Sequence, residues 1–386
     1  MIRTIEINGF KKFDHIQIEN LAQVNLFVGM NNAGKTTLLE AVYGLACGNS
    51  IIAFFSKTVL GRVMGHMTQS ITPYKMVEAI MNCFHKHKED GKQNLSFSFH
   101  VETDDDRFHI THELAPGDLF REFSSNQDGN FNSAEYWSAI NSSTTSLQGN
   151  GFHLPNYQPP LGLWKITENG TVYQCFIIFP NISNDMQQNK VLFLAHYSGL
   201  FAYHEEQDNK KIYSHLLRKN LLEEFITEMN LSFSGLKIKN IENIPYSDGT
   251  EGFISLLMEG GEHIPLYGMG DGVRRWYDIV GKLVYFPDAI HCFEEIDNGL
   301  HYAAQEQLNC NLLHYAEKYN NQLFMTTHNL EYMDALLQAA QKRGEDCLQQ
   351  QIRIITLRHD DRGVTHRVMD GEEALWARER GLELRI

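Results

Sequence analysis

Nine residues, Gly29-Met30-Asn31-Asn32-Ala33-Gly34-Lys35-Thr36-Thr37, have the spacing that phosphate chemistry requires. Gly29 and Gly34 let the backbone curl until its N–H groups face phosphate oxygens. Lys35 supplies a point charge for β- and γ-phosphates, and the Thr36 hydroxyl can reach a magnesium ion. The apolar run Val24–Val28 before the loop reads as a strand, and Leu38–Tyr43 after it as the start of a helix. Strand, loop and helix in Walker A register are specific for a bound nucleotide.

The second half of the chain returns to chemistry. Ala289–Phe293 reads as a short buried strand and ends in Glu294-Glu295-Ile296-Asp297-Asn298. Two acids at the carboxyl end of a strand suit a magnesium-nucleotide site: Glu294 to hold the ion with Thr36, and Glu295 to polarise the attacking water. Leu323–Thr327 is another core strand, and His328 after it can touch that water or the γ-phosphate. Upstream, Gly268-Met269-Gly270-Asp271-Gly272 opens a long helix, a second glycine-rich anion site. A second such site is redundant unless it serves the nucleotide of a partner subunit.

Other elements must position these groups. Residues 2–8 and His15–Ile18 alternate as strands and form a β lobe beside the loop. Lys11 and Lys12 between them are near enough in sequence to reach the phosphates or base, but suit solvent as well. Lys75–His87 has helical spacing; Asn94–Val101 pairs with Arg107–Glu113, and 115–160 is rich in Ser, Asn, Gly and Pro. Leu163–Thr167 and Val172–Phe179 form a hairpin at Asn169-Gly170. Lys211–Met229 reads as one amphipathic helix with Ile212, Leu216, Leu217, Leu221, Phe225 and Ile226 as its stripe. Phe253–Met258 and His263–Leu266 are a strand pair, Tyr302–Tyr319 a helix, and Gln351–Leu357 and Gly363–Val368 the last strands.

Composition narrows the partners. Of 386 residues, 42% are hydrophobic and 21% charged, as in an ordinary globular chain. No secretory signal or membrane span is legible, so a cytoplasmic protein is expected. The six cysteines form no CxxC pair and read as reduced thiols. His85, His87, His109 and His112 lack a recognised zinc spacing, and His109 and His112 fall on opposite faces of a strand. The net charge of −15 argues against a sequence-independent grip on duplex DNA, which calls for a basic surface.

Walker A, a glycine-rich helix start, a strand with adjacent acids and a following histidine, in that order, resemble the ABC-type ATPase head of SMC proteins and the OLD ATPases. The runs GDGVRR, EIDNGLHY and QLFMTTHNLEYMDAL and the ending GLELR are closer still to the AAA15 group, which resembles the ATPase subunits of the PARIS and Septu antiphage systems. The resemblance covers the first 50 residues and about 250 to 386.

That resemblance implies an α/β P-loop NTPase: an ABC-type head with a mixed central sheet, a flanking antiparallel β lobe and a helical insertion. Residues 1–50 and 251–386 would be the two parts of the core, and 51–250 the insertion. The stretch after His328 leaves no room for the Toprim nuclease of OLD enzymes. ATP and Mg2+ would be held by Gly29, Asn31, Asn32, Ala33, Gly34, Lys35, Thr36 and Thr37 of one copy and by Gly270, Asp271 and Gly272 of another. Thr36 and Glu294 would be the metal ligands, Glu295 the catalytic base and His328 the switch residue. Glu294 stands where the family usually has aspartate, and Gly270 where many signatures have serine, which together imply slow turnover. The implied assembly is a homodimer or higher oligomer that controls a separate nuclease or toxin. A DNA-repair or recombination ATPase of SMC or RecF type, clamping DNA, is the second reading, and a transporter subunit the least favoured.

Overall fold

The computed structural model describes residues 1–48, 82–83, 85, 96–116, 162–177, 182–183, 194–198, 206–246, 252–361 and 363–386. The helix expected over Lys75–His87 and the irregular stretch 115–160 lie almost wholly outside them.

The chain starts with β1 (Ile2–Phe10), β2 (Phe13–Ile18), β3 (Val24–Val28) and α1 (Lys35–Ala46). Then come β4 (Ser96–Thr103), β5 (Arg107–Pro116), β6 (Gly162–Glu168), β7 (Thr171–Ile177), β8 (Ile182–Ser183) and β9 (Ala195–Ser198). Two helices, α2 (Glu206–Arg218) and α3 (Leu222–Ser232), precede β10 (Ile238–Ile244), β11 (Phe253–Met258) and β12 (His263–Pro265). The last part is α4 (Asp271–Tyr285), β13 (Ile290–Phe293), α5 (Tyr302–Lys318), β14 (Gln322–Thr326), α6 (Leu330–Arg343), β15 (Ile352–Asp360), β16 (Gly363–Asp370) and α7 (Gly371–Glu379).

The central six-stranded sheet runs β16-β15-β3-β14-β13-β9, parallel except for β16. Its inner strands are apolar on both faces, as strands covered on both sides must be. In β3, Phe27 joins the core under α1 and the β lobe, whereas Val24, Leu26 and Val28 join the core under the later helices. Ile355 and Leu357 of β15 divide from Ile352 and Ile354 in the same way. The β lobe is a seven-stranded sheet, β2-β1-β4-β5-β6-β7-β8, all antiparallel. Strands from segment 51–250 therefore complete both sheets, β4 pairing with β1 and β9 with β13. A small antiparallel sheet, β10-β11-β12, carries the chain into α4.

Asn169 and Gly170 both take positive φ, as the tight β6–β7 hairpin demands. The single helix expected over Lys211–Met229 is instead two, α2 and α3. Asn220 sits at φ 55°, and the Asn220 and Leu221 N–H groups donate to the Leu217 and Leu216 carbonyls. That is a Schellman stop, with asparagine in the left-handed position glycine usually takes. Leu217, a residue on from buried Leu216 and so turned off the Ile212–Leu216 face, is exposed. Residues after His328 build α6, β15, β16 and α7 on the same core; none of the described ones forms a separate nuclease domain. Among the described residues no helix is long and apolar enough to cross a membrane.

Candidate functional site

Parallel register decides where the chemistry gathers. Thr326 of β14 lies opposite Phe27 of β3, and Phe293 of β13 opposite Met325. The loops leaving the carboxyl ends of β3, β13 and β14 therefore emerge side by side, the usual ligand edge of an open α/β sheet.

The first of these loops is held tightly. Gly29 has φ 146°, and a Cβ there would lie 2.4 Å from the Leu357 carbonyl oxygen of β15. Gly34 has φ 106° with the Phe13 ring against it. Neither position admits a side chain without displacing a neighbour. Lys12 donates to the Asn32 carbonyl at 2.7 Å and also to its side chain. Lys11 faces the other way and pairs with the buried Glu40 of α1, so of the two lysines only Lys12 abuts the loop.

Lys35 is 8% exposed and donates to the Gly29 and Met30 carbonyls at 2.8 and 3.1 Å. Burial pushes its ammonium below the ordinary lysine value; the Glu295 carboxylate acts against that shift and the Arg385 guanidinium adds to it. An anionic ligand would relieve the burial.

Thr36 Oγ1 donates to Glu294 Oε1 at 2.8 Å. The extra methylene of glutamate thus brings its carboxylate onto the loop threonine, and Tyr197 steadies the second oxygen at 3.4 Å. One hydroxyl and one carboxylate side by side are a hard-oxygen pair of the kind magnesium uses, its other ligands being water and phosphate. The residues present fit that ion.

Glu295 adopts φ 43°, uncommon for a residue with a side chain. Several bonds impose it: its N–H donates to Thr326 Oγ1 at 2.8 Å, and the Ile296 N–H to the Thr326 carbonyl at 3.0 Å. Backbone held in a sparsely populated region by surrounding bonds is a mark of functional sites. His328 Nδ1 lies 3.6 Å from Glu295 Oε1. Asp297 is buried and accepts from Thr327 Oγ1 at 2.6 Å, tying the two loops together within one copy.

Gly270, Asp271 and Gly272 stand apart from this cluster. The turn from Gly268 to Asp271 opens to the surface apart from half-buried Met269, and Tyr267 beside it is 57% exposed. Gly272 is needed inside its own subunit, because a Cβ there would meet the Gly299 carbonyl oxygen at 2.7 Å. Gly270 has open space.

Arg275 is the residue whose role the sequence reading missed. Buried in the first turns of α4, it donates from Nη2 to the main-chain carbonyls of Glu294 and Glu295, 2.6 Å each. A signal was present: paired arginines at a helix start oppose the helix dipole and so call for a specific partner. Of the four histidines, His112 is buried among Phe97 and Phe99 while His109 is exposed, consistent with opposite faces; His87 lies outside the described residues. Among the described residues no group of three ligating side chains could hold a metal.

A family profile described as "AAA domain, putative AbiEii toxin, Type IV TA system" matches residues 82–334, well over half of the chain. The chain belongs to this AAA-domain family. A second profile, "AAA ATPase domain", matches residues 1–157 of the AAA-domain protein. An ATP/GTP phosphatase of Helicobacter pylori is 23% identical over 96% of each chain. The DNA replication and repair protein RecF of Coxiella burnetii is 39% identical over 49 residues, 13% of this chain and 14% of that protein. A solved Smc head bound to the C-winged helix domain of ScpA superposes with TM-score 0.54 at 13% identity, covering 97% of this chain and 99% of that one. The Pyrococcus furiosus Smc head with an extended coiled coil gives 0.52 at 12%, covering 98% of each. The fold is that of an SMC- and ABC-type P-loop ATPase head, and the mixed sheet with its antiparallel lobe is the expected one.

Proposed function

We propose that this AAA-domain protein binds and slowly hydrolyses ATP, assembles around the nucleotide, and controls a separate nuclease or toxin in antiphage defence. The observation that carries the chemistry is the 2.8 Å bond from Thr36 to Glu294, with Lys35 next to Thr36 in the chain and the Glu295–His328 pair next to Glu294. Lys35 and the loop N–H groups from Gly29, Asn31, Asn32, Ala33, Gly34 and Thr37 would hold the phosphates. Thr36 and Glu294 would hold magnesium, which when bound neutralises phosphate charge. The Glu295 carboxylate accepts a proton from the attacking water, and His328 orients that water.

The surface position of the Gly268–Asp271 turn supports assembly, since its helix N-terminus is open to a second copy's phosphates. Slow turnover follows from Glu294 in place of aspartate and from Gly270, which has no hydroxyl to offer. A toxin–antitoxin family description is consistent with an effector under ATPase control. Glu295→Gln tests the reading. Full-length protein carrying it is expected to retain ATP, lose roughly a hundredfold or more in hydrolysis, and sediment as a larger species only with ATP and magnesium. Identical sedimentation with and without ATP would remove the assembly step.

The RecF match keeps a second reading in view, a repair-type ATPase that clamps DNA. Lys210, Lys211 and Arg218 line one groove, although the whole chain is acidic. ATP-stimulated, salt-sensitive retardation of duplex DNA would favour that reading over effector control.

A further inference from the structure

The end of the chain returns to the Gly29–Thr36 loop. Leu384 is buried, and its carbonyl accepts from Thr356 Oγ1 at 2.7 Å. Arg378 grips Asp334 through two nitrogens and donates to the Leu382 carbonyl at 2.8 Å. These contacts fix the tail without Arg385.

Arg385 reaches further. Its Nη1 donates to the His328 carbonyl at 2.9 Å, while Nε and Nη2 sit in the fork of Glu383 at 2.9 and 2.8 Å. A guanidinium has five N–H donors; these bonds use three, and the other two have no partner among the described residues. Arg385 lines a groove of about 470 Å³ with Met30, Asn31, Asn32 and Ala33 of the loop. It is also close enough to Lys35 to disfavour that residue's charge. Arg358 lines the same groove, with Asp360 beside it, and neighbouring cations repel each other unless an anion lies between them. Glu383 offsets part of Arg385's charge and fixes the plane of the fork, so recognition falls to the remaining N–H groups.

We propose that Arg385 is a binding residue for the terminal phosphate of a nucleoside triphosphate, supplied by the chain's own tail, which separates triphosphate from diphosphate. This rests on reading the site as nucleotide-binding. The competing role is structural, in which Arg385 only braces the His328 carbonyl.

Calorimetric titration of the full-length protein with ATPγS and with ADP, both with magnesium, tells these apart. Arg385→Ala is expected to weaken ATPγS binding about tenfold or more, the worth of a charge-assisted contact, and ADP binding less than about twofold. Arg385→Lys should fall between, keeping charge without the fork. The melting temperature without nucleotide should not move, because Leu384 and Thr356 still anchor the tail; if the alanine variant fails to fold, the lysine variant is read in the same way. Equal losses for both nucleotides, or unchanged ATPγS affinity, would overturn the proposal. Lys35→Ala is the control arm. Wild-type protein binding neither nucleotide, or Lys35→Ala binding both normally, would sink the nucleotide reading itself, not merely Arg385's share in it.

Discussion

Arg275, near the start of α4, donates to the carbonyls of both Glu294 and Glu295 at 2.6 Å. One helix thus carries exposed Gly270 and Asp271 at its tip and, just inside, the brace of the acids that end β13. The Glu295 backbone that this brace holds sits at φ 43°.

Removing that brace should cost both stability and rate. Arg275→Ala takes the guanidinium from the buried Glu294 carbonyl and leaves the Glu295 carbonyl only the Asn298 N–H, and about 2–4 kcal/mol of stability should be lost. Arg275→Lys keeps the charge but not the planar fork, and should slow hydrolysis about tenfold with a smaller stability loss. Urea midpoints and turnover numbers for the two variants make the check. A lysine variant as active as wild type would mean the Glu295 backbone does not depend on the guanidinium.

The Thr36–Glu294 bond predicts a metal dependence. Glu294→Gln keeps the shape and removes the charge, so the magnesium needed for half-maximal activity should rise about tenfold or more. Thr36→Val should shift it in the same direction, and chelation should abolish hydrolysis in wild type. An unchanged magnesium titration in Glu294→Gln would reduce the 2.8 Å contact to a packing feature.

Much of this was legible in the sequence, for a physical reason. The Gly29–Thr36 loop and the β13 and β14 ends rely on local patterns: a buried apolar strand, then glycine or acid, then a helix. What was not legible depends on contacts between distant residues. Arg275 and Arg385 sit in motifs quoted from the sequence, but only the folded chain brings them to Glu294 and His328. The α2–α3 break was missed because the apolar spacing runs through it, while one asparagine at φ 55° redirects the chain. The 51–250 segment carries no motif, so its share in both sheets had no signal beyond strand alternation.

Two buried histidines give the fold an acid limit. Burial holds His112 down at about 3 and His291 at about 4, against an ordinary value near 6.5. As pH falls below the unfolded-state value, the unfolded chain takes up protons that the folded chain refuses. Stability is therefore full above that value and declines as pH drops towards about 4, by about 1.4 kcal/mol per pH unit for each histidine in mid-window. His112→Phe, in a pocket already lined by Phe97 and Phe99, should remove one histidine's share of the slope. Urea midpoints measured across the window check this, and an unchanged slope in the variant would count against it.

Gly270 offers the sharpest test of what the exposed turn does. It is the N-cap of α4, at φ −60° and ψ 153°, and a Cβ added there meets nothing within 4 Å. Gly270→Ser is therefore free of steric cost, and its hydroxyl oxygen can accept from the first-turn N–H groups for a gain of a few tenths of a kcal/mol, about what serine gains over glycine at this position. Its O–H proton remains free to donate outward. If a second copy's phosphates dock on this turn, the variant should associate more strongly in ATP and turn over several-fold faster, as a new contact to developing charge would give. Gly272→Ala is the contrasting change: its Cβ would press on the Gly299 carbonyl from 2.7 Å, so it should lose stability and association together. Sedimentation and turnover in parallel decide the matter. A serine variant that folds slightly better yet assembles and hydrolyses like wild type would place the partner's phosphates somewhere other than this turn.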